Sequence, residues 1–199
     1  MPTTEVVTRT VLSNMQRRIH DAKRILAARG LLEAVTWSFT SSQISRSFGK
    51  VPSELKVANP ISSDLDIMRS NLLPNLLLSC GRNIHRGENP VTLFEVGAVY
   101  EGIEPENQLM VAAGLRYGLN SNRHWAGDER SFDVFDSKAD VQSILHSAGL
   151  RPSAAIVESG GPDWYHPGRS GVFKLGPKIT LAYFGEIHPQ VLQNLGIDG

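Results

Sequence analysis

The stretch Val91–Tyr100, with the sequence VTLFEVGAVY, carries apolar side chains at both alternating sets of positions. In an extended chain these residues fall on two sides, with Val91, Leu93 and Val99 on one and Phe94, Val96 and Tyr100 on the other. A strand with two apolar faces is covered on both sides, so we predict that this one lies in the middle of a sheet.

Further strands are predicted from alternating or β-rich sequence. They span Glu33–Phe39, Leu55–Val57, Leu109–Tyr117, Ala154–Val157, Arg169–Leu175 and Ile179–Ile187. In the first of them, Val35, Trp37 and Phe39 recur at every second position, which is the period of a half-buried strand. Because short runs of turn-forming residues separate most of the strands, we expect mostly antiparallel pairing.

Helices are predicted between these strands. They comprise Ser13–Arg29, Ser41–Phe48, a segment from about Asn71, a segment capped by Asp136, and a short segment opened by Pro189. The three longer helices must cover one or both faces of the sheet. The predicted fold class is therefore α+β.

The first helix has one apolar seam at alternating steps of three and four residues, formed by Leu12, Met15, Ile19, Ala22 and Leu26. A seam this narrow suits packing against another helix. The opposite face is basic and carries Arg17, Arg18, Lys23 and Arg24. Because Asp21 interrupts that basic face, a solvated surface is favoured over a phosphate-binding track.

The composition indicates a single globular domain of 199 residues, 41% of them hydrophobic. Twenty basic residues balance 20 acidic ones, so the chain lacks the positive field of a dedicated nucleic-acid-binding protein. The single cysteine, Cys80, excludes an internal disulfide. No apolar run approaches the roughly 20 residues of a membrane span, and the first residues do not resemble a signal peptide. A cytoplasmic protein without a membrane partner is expected.

Few motifs point to catalysis. The chain has neither a phosphate-binding glycine loop nor the G-x-S-x-G turn of serine hydrolases, and its histidines and cysteine do not fall at zinc-ligand spacing. A candidate pocket comprises Trp164, His166, Arg169 and His188. A turn at Pro167 that leads into a strand, with Arg169 paired to a carboxylate, explains the same residues and is favoured.

Seven short segments stand in a specific order and spacing along the chain. They are Gly30–Val35 (GLLEAV), Asn59–Ser62 (NPIS), Met68–Pro74 (MRSNLLP), Asn83–Arg86 (NIHR), Leu93–Tyr100 (LFEVGAVY), His166–Ser170 (HPGRS) and Phe184–Pro189 (FGEIHP). No single segment is diagnostic, but together they resemble the catalytic-like core module of the bacterial phenylalanyl-tRNA synthetase beta subunit. The resemblance covers Arg17–Asp198 and implies a class II aminoacyl-tRNA synthetase-like fold, an antiparallel sheet flanked by helices.

Class II synthetases carry three signatures. The helix before Gly30 and the strand Glu33–Phe39 resemble the first, a dimer-interface motif, although its usual closing proline is absent. In the second, an arginine after a Gly-x-Val-aromatic strand holds the ATP α-phosphate, but here Glu101 follows Tyr100. A carboxylate has the wrong charge for that task. The third signature would follow Asp198, so the resemblance implies a C-terminally truncated fragment of a longer subunit.

The resemblance therefore implies a single non-catalytic core domain over residues 1–199. In the family, the alpha subunit carries the ATP and phenylalanine sites, and two alpha and two beta subunits form the enzyme that charges tRNA(Phe). We expect no catalytic, cofactor-binding or metal-binding residue in this chain, with ATP and Mg²⁺ bound elsewhere in the enzyme. We expect the apolar seam of the first helix to contact the alpha subunit, and the isolated chain to self-associate.

Two other functions stay open at this point. A free-standing small-molecule enzyme would require His166, Arg169 and His188 to converge on one concave pocket. An RNA-binding module would show a steep salt dependence of its affinity for tRNA, and the neutral net charge argues against it.

Overall fold

The computed structural model of the protein describes residues 11–120, 125 and 128–197. Its helices are α1 (Asn14–Ala28), α2 (Ser42–Ser45), α3 (Leu73–Ile84), α4 (Val134–Ser147) and α5 (Pro189–Asn194). Its strands are β1 (Leu32–Glu33), β2 (Phe39–Thr40), β3 (Ile67–Met68), β4 (Val91–Tyr100), β5 (Gln108–Tyr117), β6 (Ala155–Ser159), β7 (Tyr165–Leu175) and β8 (Ile179–Ile187). None of the described helices is long and apolar enough to cross a membrane.

The strands form two three-stranded sheets, in the orders β1–β4–β5 and β6–β7–β8, and β2 pairs with β3. All neighbours are antiparallel except β1 and β4, which are parallel and joined by a long crossover. The α+β class with mostly antiparallel pairing is confirmed. The predicted strand Leu55–Val57 is wrong, because Leu55 ends a single 3-10 turn and Lys56 forms only an isolated bridge with Ile67.

Strand β4 lies between β1 and β5, and none of its 10 residues is exposed. On one face Phe94 packs against Leu26 of α1. On the other face Val99 packs against Leu76 of α3. The prediction of a central strand covered on both sides is confirmed.

The two longest helices begin at capping boxes. Ser13 caps α1, and the side chain of Gln16 accepts a hydrogen bond from the Ser13 backbone. The cap of α4 is Asp133, not Asp136 as predicted. The Asp133 carboxylate accepts backbone N–H groups of the first turn, whereas Asp136 reaches back to the Asp133 N–H at 2.9 Å.

The predicted strand Glu33–Phe39 is wrong in extent and in orientation. Only the two ends of the segment pair as strands, in β1 and β2. Its apolar side chains point outward, with Val35 87% and Trp37 67% exposed. Thr36 points inward instead, because its hydroxyl donates to Glu95 Oε2 at 2.7 Å.

A buried ion pair between Arg69 and Glu95 ties this segment to β4. Arg69 Nη1 lies 2.7 Å from Glu95 Oε1, and both side chains are 4% exposed. The guanidinium also donates to the Thr36 hydroxyl at 2.9 Å and to the Ala98 carbonyl at 2.8 Å. These bonds satisfy charges that would otherwise be costly to bury.

Two further residues fit closely around this pair. A Cβ atom on Gly97 would lie 2.6 Å from Arg69 Nη2, so no larger residue fits there without moving the guanidinium. The amide of Asn75 donates to the backbone carbonyls of Trp37 and Phe39 at 2.9 and 3.3 Å. Hydrogen bonds from a buried side chain thus fix the backbone of the outward-facing segment.

The chain's cysteine is part of the core. Cys80 on α3 is 2% exposed. Burial raises the pKa of the Cys80 thiol to about 11. Because the thiolate is the reactive form of cysteine, this thiol is chemically quiet in the folded protein.

Replacing Arg69 with alanine tests how much the buried ion pair contributes to the stability of the domain. Arg69→Ala leaves the Glu95 carboxylate buried without its partner, and we expect the free energy of unfolding in urea to fall by about 3–5 kcal/mol. The matched control is Arg169→Ala, which removes a pair to Glu186 whose side chains are 53% and 39% exposed. An exposed pair is worth less than about 1 kcal/mol. Equal losses in the two variants would contradict this assignment.

Candidate functional site

The class II resemblance predicts a phosphate-binding position just after β4. Glu101 is exposed there, and its backbone N–H donates to the Asn107 carbonyl at 2.9 Å, which closes the hairpin to β5. The hairpin loop 101–107 also contains Glu104 and Glu106, and no lysine or arginine. Three carboxylates in one short loop repel a phosphate.

Arg69 is bonded to β4 but cannot take the place of the absent arginine. Its side chain is neutralised by Glu95 and donates to the Ala98 carbonyl. The residue is only 3% exposed. An arginine that recognises a phosphate must be able to reach it, and this side chain is buried in the core.

The candidate pocket residues meet at the ends of β7 and β8. The rings of His166 and His188 stack, with their centroids 6.5 Å apart. Each Nδ1 atom accepts a backbone N–H two residues further along the chain, from Gly168 and from Gln190, both at 3.1 Å. Both imidazoles therefore stabilise local structure, one in the irregular first part of β7 and the other at the start of α5.

The other two pocket residues are also engaged. Arg169 Nε lies 2.7 Å from Glu186 Oε2, which is the carboxylate pairing favoured from the sequence. Trp164 packs into the core, with its ring centroid 6.1 Å from that of Phe48. Neither of the two surface grooves described below is lined by any of the four residues. The turn predicted at Pro167 is wrong, because Pro167 lies inside β7, where the register with β8 is irregular. The geometry favours an irregular strand with an ion pair over a substrate pocket.

The apolar seam predicted for the first helix divides into an outer and an inner half, and its first residue, Leu12, lies before α1, which begins at Asn14. Leu12 and Met15 are 40% and 54% exposed, and Ile19 is half-buried. Ala22 and Leu26, at 7% and 2% exposure, belong to the core of this chain. We expected all five seam residues to contact a partner. For Ala22 and Leu26 this is wrong, because the second half of α1 packs on β4 of the same chain.

An exposed apolar strip continues from this helix. It consists of Leu32, Val35 and Trp37, which are 68%, 87% and 67% exposed, and we name it the β1 strip. Beside it a groove of about 550 Å³ runs between α1 and β1, bridged by the ion pair of Lys23 and Glu33 at 2.6 Å. Exposed apolar groups of this kind mark interaction sites. The periodicity of the sequence did not predict this strip, because an alternating pattern shows that a segment has two sides but not which side is buried.

Among the described residues, no three histidine, cysteine, aspartate or glutamate side chains come together as metal ligands.

Comparison with known protein families identifies the chain. The family described as "Phenylalanyl tRNA synthetase beta chain CLM domain" matches it over residues 1–199. The chain belongs to this family. The resemblance carried by the seven sequence segments is thereby confirmed.

Relatives of this CLM domain carry the name "Phenylalanine--tRNA ligase beta subunit". The one from Brucella abortus (strain 2308) is 45% identical over 203 residues, which cover 100% of the chain and 25% of the relative. The one from Paramagnetospirillum magneticum is 49% identical over 189 residues, which cover 95% of the chain and 24% of the relative. The CLM domain thus spans about a quarter of the length of the curated relatives it matches.

Solved structures support the class II fold. A pyrrolysyl tRNA synthetase from Desulfitobacterium hafniense superposes with a TM-score of 0.65 over 93% of this chain and 63% of that chain, at 16% sequence identity. A second structure of the enzyme from the same organism gives a TM-score of 0.62. At this identity the similarity concerns the fold alone, and it confirms the predicted class II synthetase-like architecture.

Tyr165, next to Trp164, makes the free energy of unfolding depend on pH in the alkaline range. Burial raises the pKa of Tyr165 from 10 to about 12. The folded state favours the neutral phenol, so its contribution is complete below pH 10 and is lost as the pH rises through about 12. In urea unfolding at several pH values, we expect Tyr165→Phe to reduce this loss. The control Tyr183→Phe, at a residue 41% exposed, should retain it, and an unchanged loss in Tyr165→Phe would assign the effect to another group.

Proposed function

We propose that this chain is the non-catalytic core module of a phenylalanine–tRNA ligase beta subunit. It packs beside a catalytic alpha subunit in a heterotetramer of two alpha and two beta subunits, which charges tRNA(Phe) with phenylalanine and ATP. Family membership over residues 1–199 and the names of the relatives support the enzyme assignment. ATP and Mg²⁺ bind in the alpha subunit.

The observation that carries the non-catalytic role is the charge at the end of β4. Where the class II resemblance requires an arginine, Glu101 begins an exposed acidic hairpin loop. Losing one electrostatic clamp of this type costs about 3–4 kcal/mol of transition-state stabilisation. The buried Arg69 does not compensate, since Glu95 already holds its guanidinium.

The β1 strip and the outer half of α1 support packing against the alpha subunit. Leu12, Met15, Leu32, Val35 and Trp37 are all at least 40% exposed. Each large apolar side chain that becomes fully buried contributes about 1.5–3 kcal/mol, part of which the entropy of association offsets. In the isolated chain this surface favours self-association.

The two alternative functions have less support. A free-standing enzyme at His166, Arg169 and His188 would use side chains that already accept backbone N–H groups or pair with Glu186. Direct RNA binding would need a basic surface, whereas the 20 basic and 20 acidic residues balance. Contact with tRNA is therefore assigned to the assembled enzyme and not to this domain alone.

ATP–pyrophosphate exchange with phenylalanine tests the non-catalytic role. We expect no exchange by the full-length beta subunit alone, and exchange when the alpha subunit is added. In the assembled enzyme, Glu101→Ala and the matched control Glu104→Ala should each change kcat/KM for ATP by less than about twofold. Exchange by the beta subunit alone, or a loss of about a hundredfold with Glu101→Ala only, would contradict the proposal.

Assembly with the alpha subunit tests the β1 strip. Trp37→Asp places a carboxylate in an apolar interface, and we expect the dissociation constant of the alpha–beta pair to rise at least about tenfold. The control is Ile103→Asp, in the β4–β5 hairpin, where the isoleucine is 70% exposed. Analytical ultracentrifugation measures assembly, and circular dichroism confirms folding. An equal effect of both substitutions would remove the strip from the interface.

A further inference from the structure

A second groove lies between α4 and β6, away from the β1 strip and the hairpin loop, and we name it the α4–β6 groove. Its volume is about 420 Å³. The floor is apolar and includes Leu145, Val157 and Phe173, and the rim includes Lys138, Gln142 and His146. The proposed packing against the alpha subunit does not use these residues.

One edge of β6 is open beside this groove. In the part of the chain that the structure describes, β6 pairs with β7 alone. Ile156 and Val157 on this edge strand are 44% and 43% exposed. An open edge offers unpaired backbone N–H and C=O groups to another strand, and proteins normally protect it with proline, charge or a covering element. The segment 155–159 contains no proline, and its one charged residue, Glu158, is paired with Lys174 of β7.

The charges around the α4–β6 groove are unbalanced. Lys138 is half-buried and takes part in none of the ion pairs among the described residues. The neighbouring acids of α4 are engaged elsewhere, since Asp136 pairs with Arg130 at 2.7 Å and Asp140 pairs with Arg116 at 2.7 Å. As far as residues 11–120, 125 and 128–197 show, the groove therefore presents a positive charge without a paired acid, in a chain that is neutral overall.

The acid on β6 does not supply the missing charge. Glu158 pairs with Lys174 of the neighbouring strand. In the strand register Val157 lies opposite Phe173, and both line the groove. Because successive side chains alternate between faces, Glu158 and Lys174 point to the opposite face of the sheet. A carboxylate brought in by a bound segment can therefore pair with Lys138 without displacing the described acids nearby.

We propose that the α4–β6 groove and the open edge of β6 bind an extended polypeptide segment, which adds to the sheet as a strand. Alternate apolar side chains of the segment lie on the floor of the groove, and a carboxylate reaches Lys138. Backbone pairing supplies affinity, and the alternate side chains supply specificity. The segment comes from the assembled enzyme outside residues 1–199, a step that rests on the proposed function. The relatives are about four times as long as this chain, which leaves room for such a segment in the assembled enzyme.

The test is photocross-linking in the purified assembled enzyme, with full-length alpha and beta subunits. The photoreactive residue p-benzoyl-phenylalanine replaces Ile156, which lies on the edge strand and faces away from the groove. Mass spectrometry then identifies the cross-linked peptide. We expect one product, which maps to a single stretch of alternating apolar residues with an aspartate or glutamate.

Two further substitutions link the product to the groove. Lys138→Glu should lower the cross-linking yield at least about tenfold, because the carboxylate of the segment then meets a like charge. Val157→Lys should do the same by placing a charge on the edge strand. The matched control Lys178→Glu reverses an exposed charge in the turn between β7 and β8, and should change the yield by less than about twofold. Circular dichroism establishes that each variant is folded.

Three outcomes would overturn the proposal. They are a cross-link to β6 of a second beta subunit, a cross-link to tRNA, and an unchanged yield with Lys138→Glu in a folded enzyme. Light scattering on the same samples reports assembly with the alpha subunit. If that assembly is absent while the cross-link forms within the beta subunit, the proposed function fails and the edge-strand proposal stands.

Discussion

The arrangement of this domain depends on two opposite charges buried together, those of Arg69 and Glu95. Removing such charges from water costs several kcal/mol each, and a fold tolerates them only when they neutralise each other and their remaining donors are bonded. Here those donors reach Thr36 and the Ala98 carbonyl. The backbone of Arg69 also bonds on both sides, to Ser38 and to Tyr100. The pair therefore fixes the segment after β1 relative to β4.

The same pair determines which side chains reach the surface. Because Thr36 must face Glu95, its neighbours Val35 and Trp37 face outward, where they form most of the β1 strip. One buried interaction thus links the stability of the domain to a surface suited to a protein partner.

Sequence reasoning succeeded where one segment contains its own signal. The central position of β4 follows from its two apolar faces, and the pairing of Arg169 with a carboxylate is confirmed, although the turn predicted before it is part of β7. It failed where the signal lies in a distant residue. The orientation of Thr36 depends on Glu95, 59 positions away. Which residues of the α1 seam are buried depends on which part of the helix packs on β4, and the periodicity of the sequence cannot show this. The α4–β6 groove likewise arises from elements that are adjacent only in space.

The burial of Cys80 has a practical consequence for the study of this domain. It is the single cysteine of the chain and lies in the core, where its thiol stays protonated at neutral pH. A cysteine introduced on the surface is then the one thiol of this domain that a maleimide dye modifies under native conditions. Fluorescent or spin labels can therefore be attached at chosen surface positions without first replacing Cys80. Distances from these labels to a partner can then be measured in a domain whose core is unaltered.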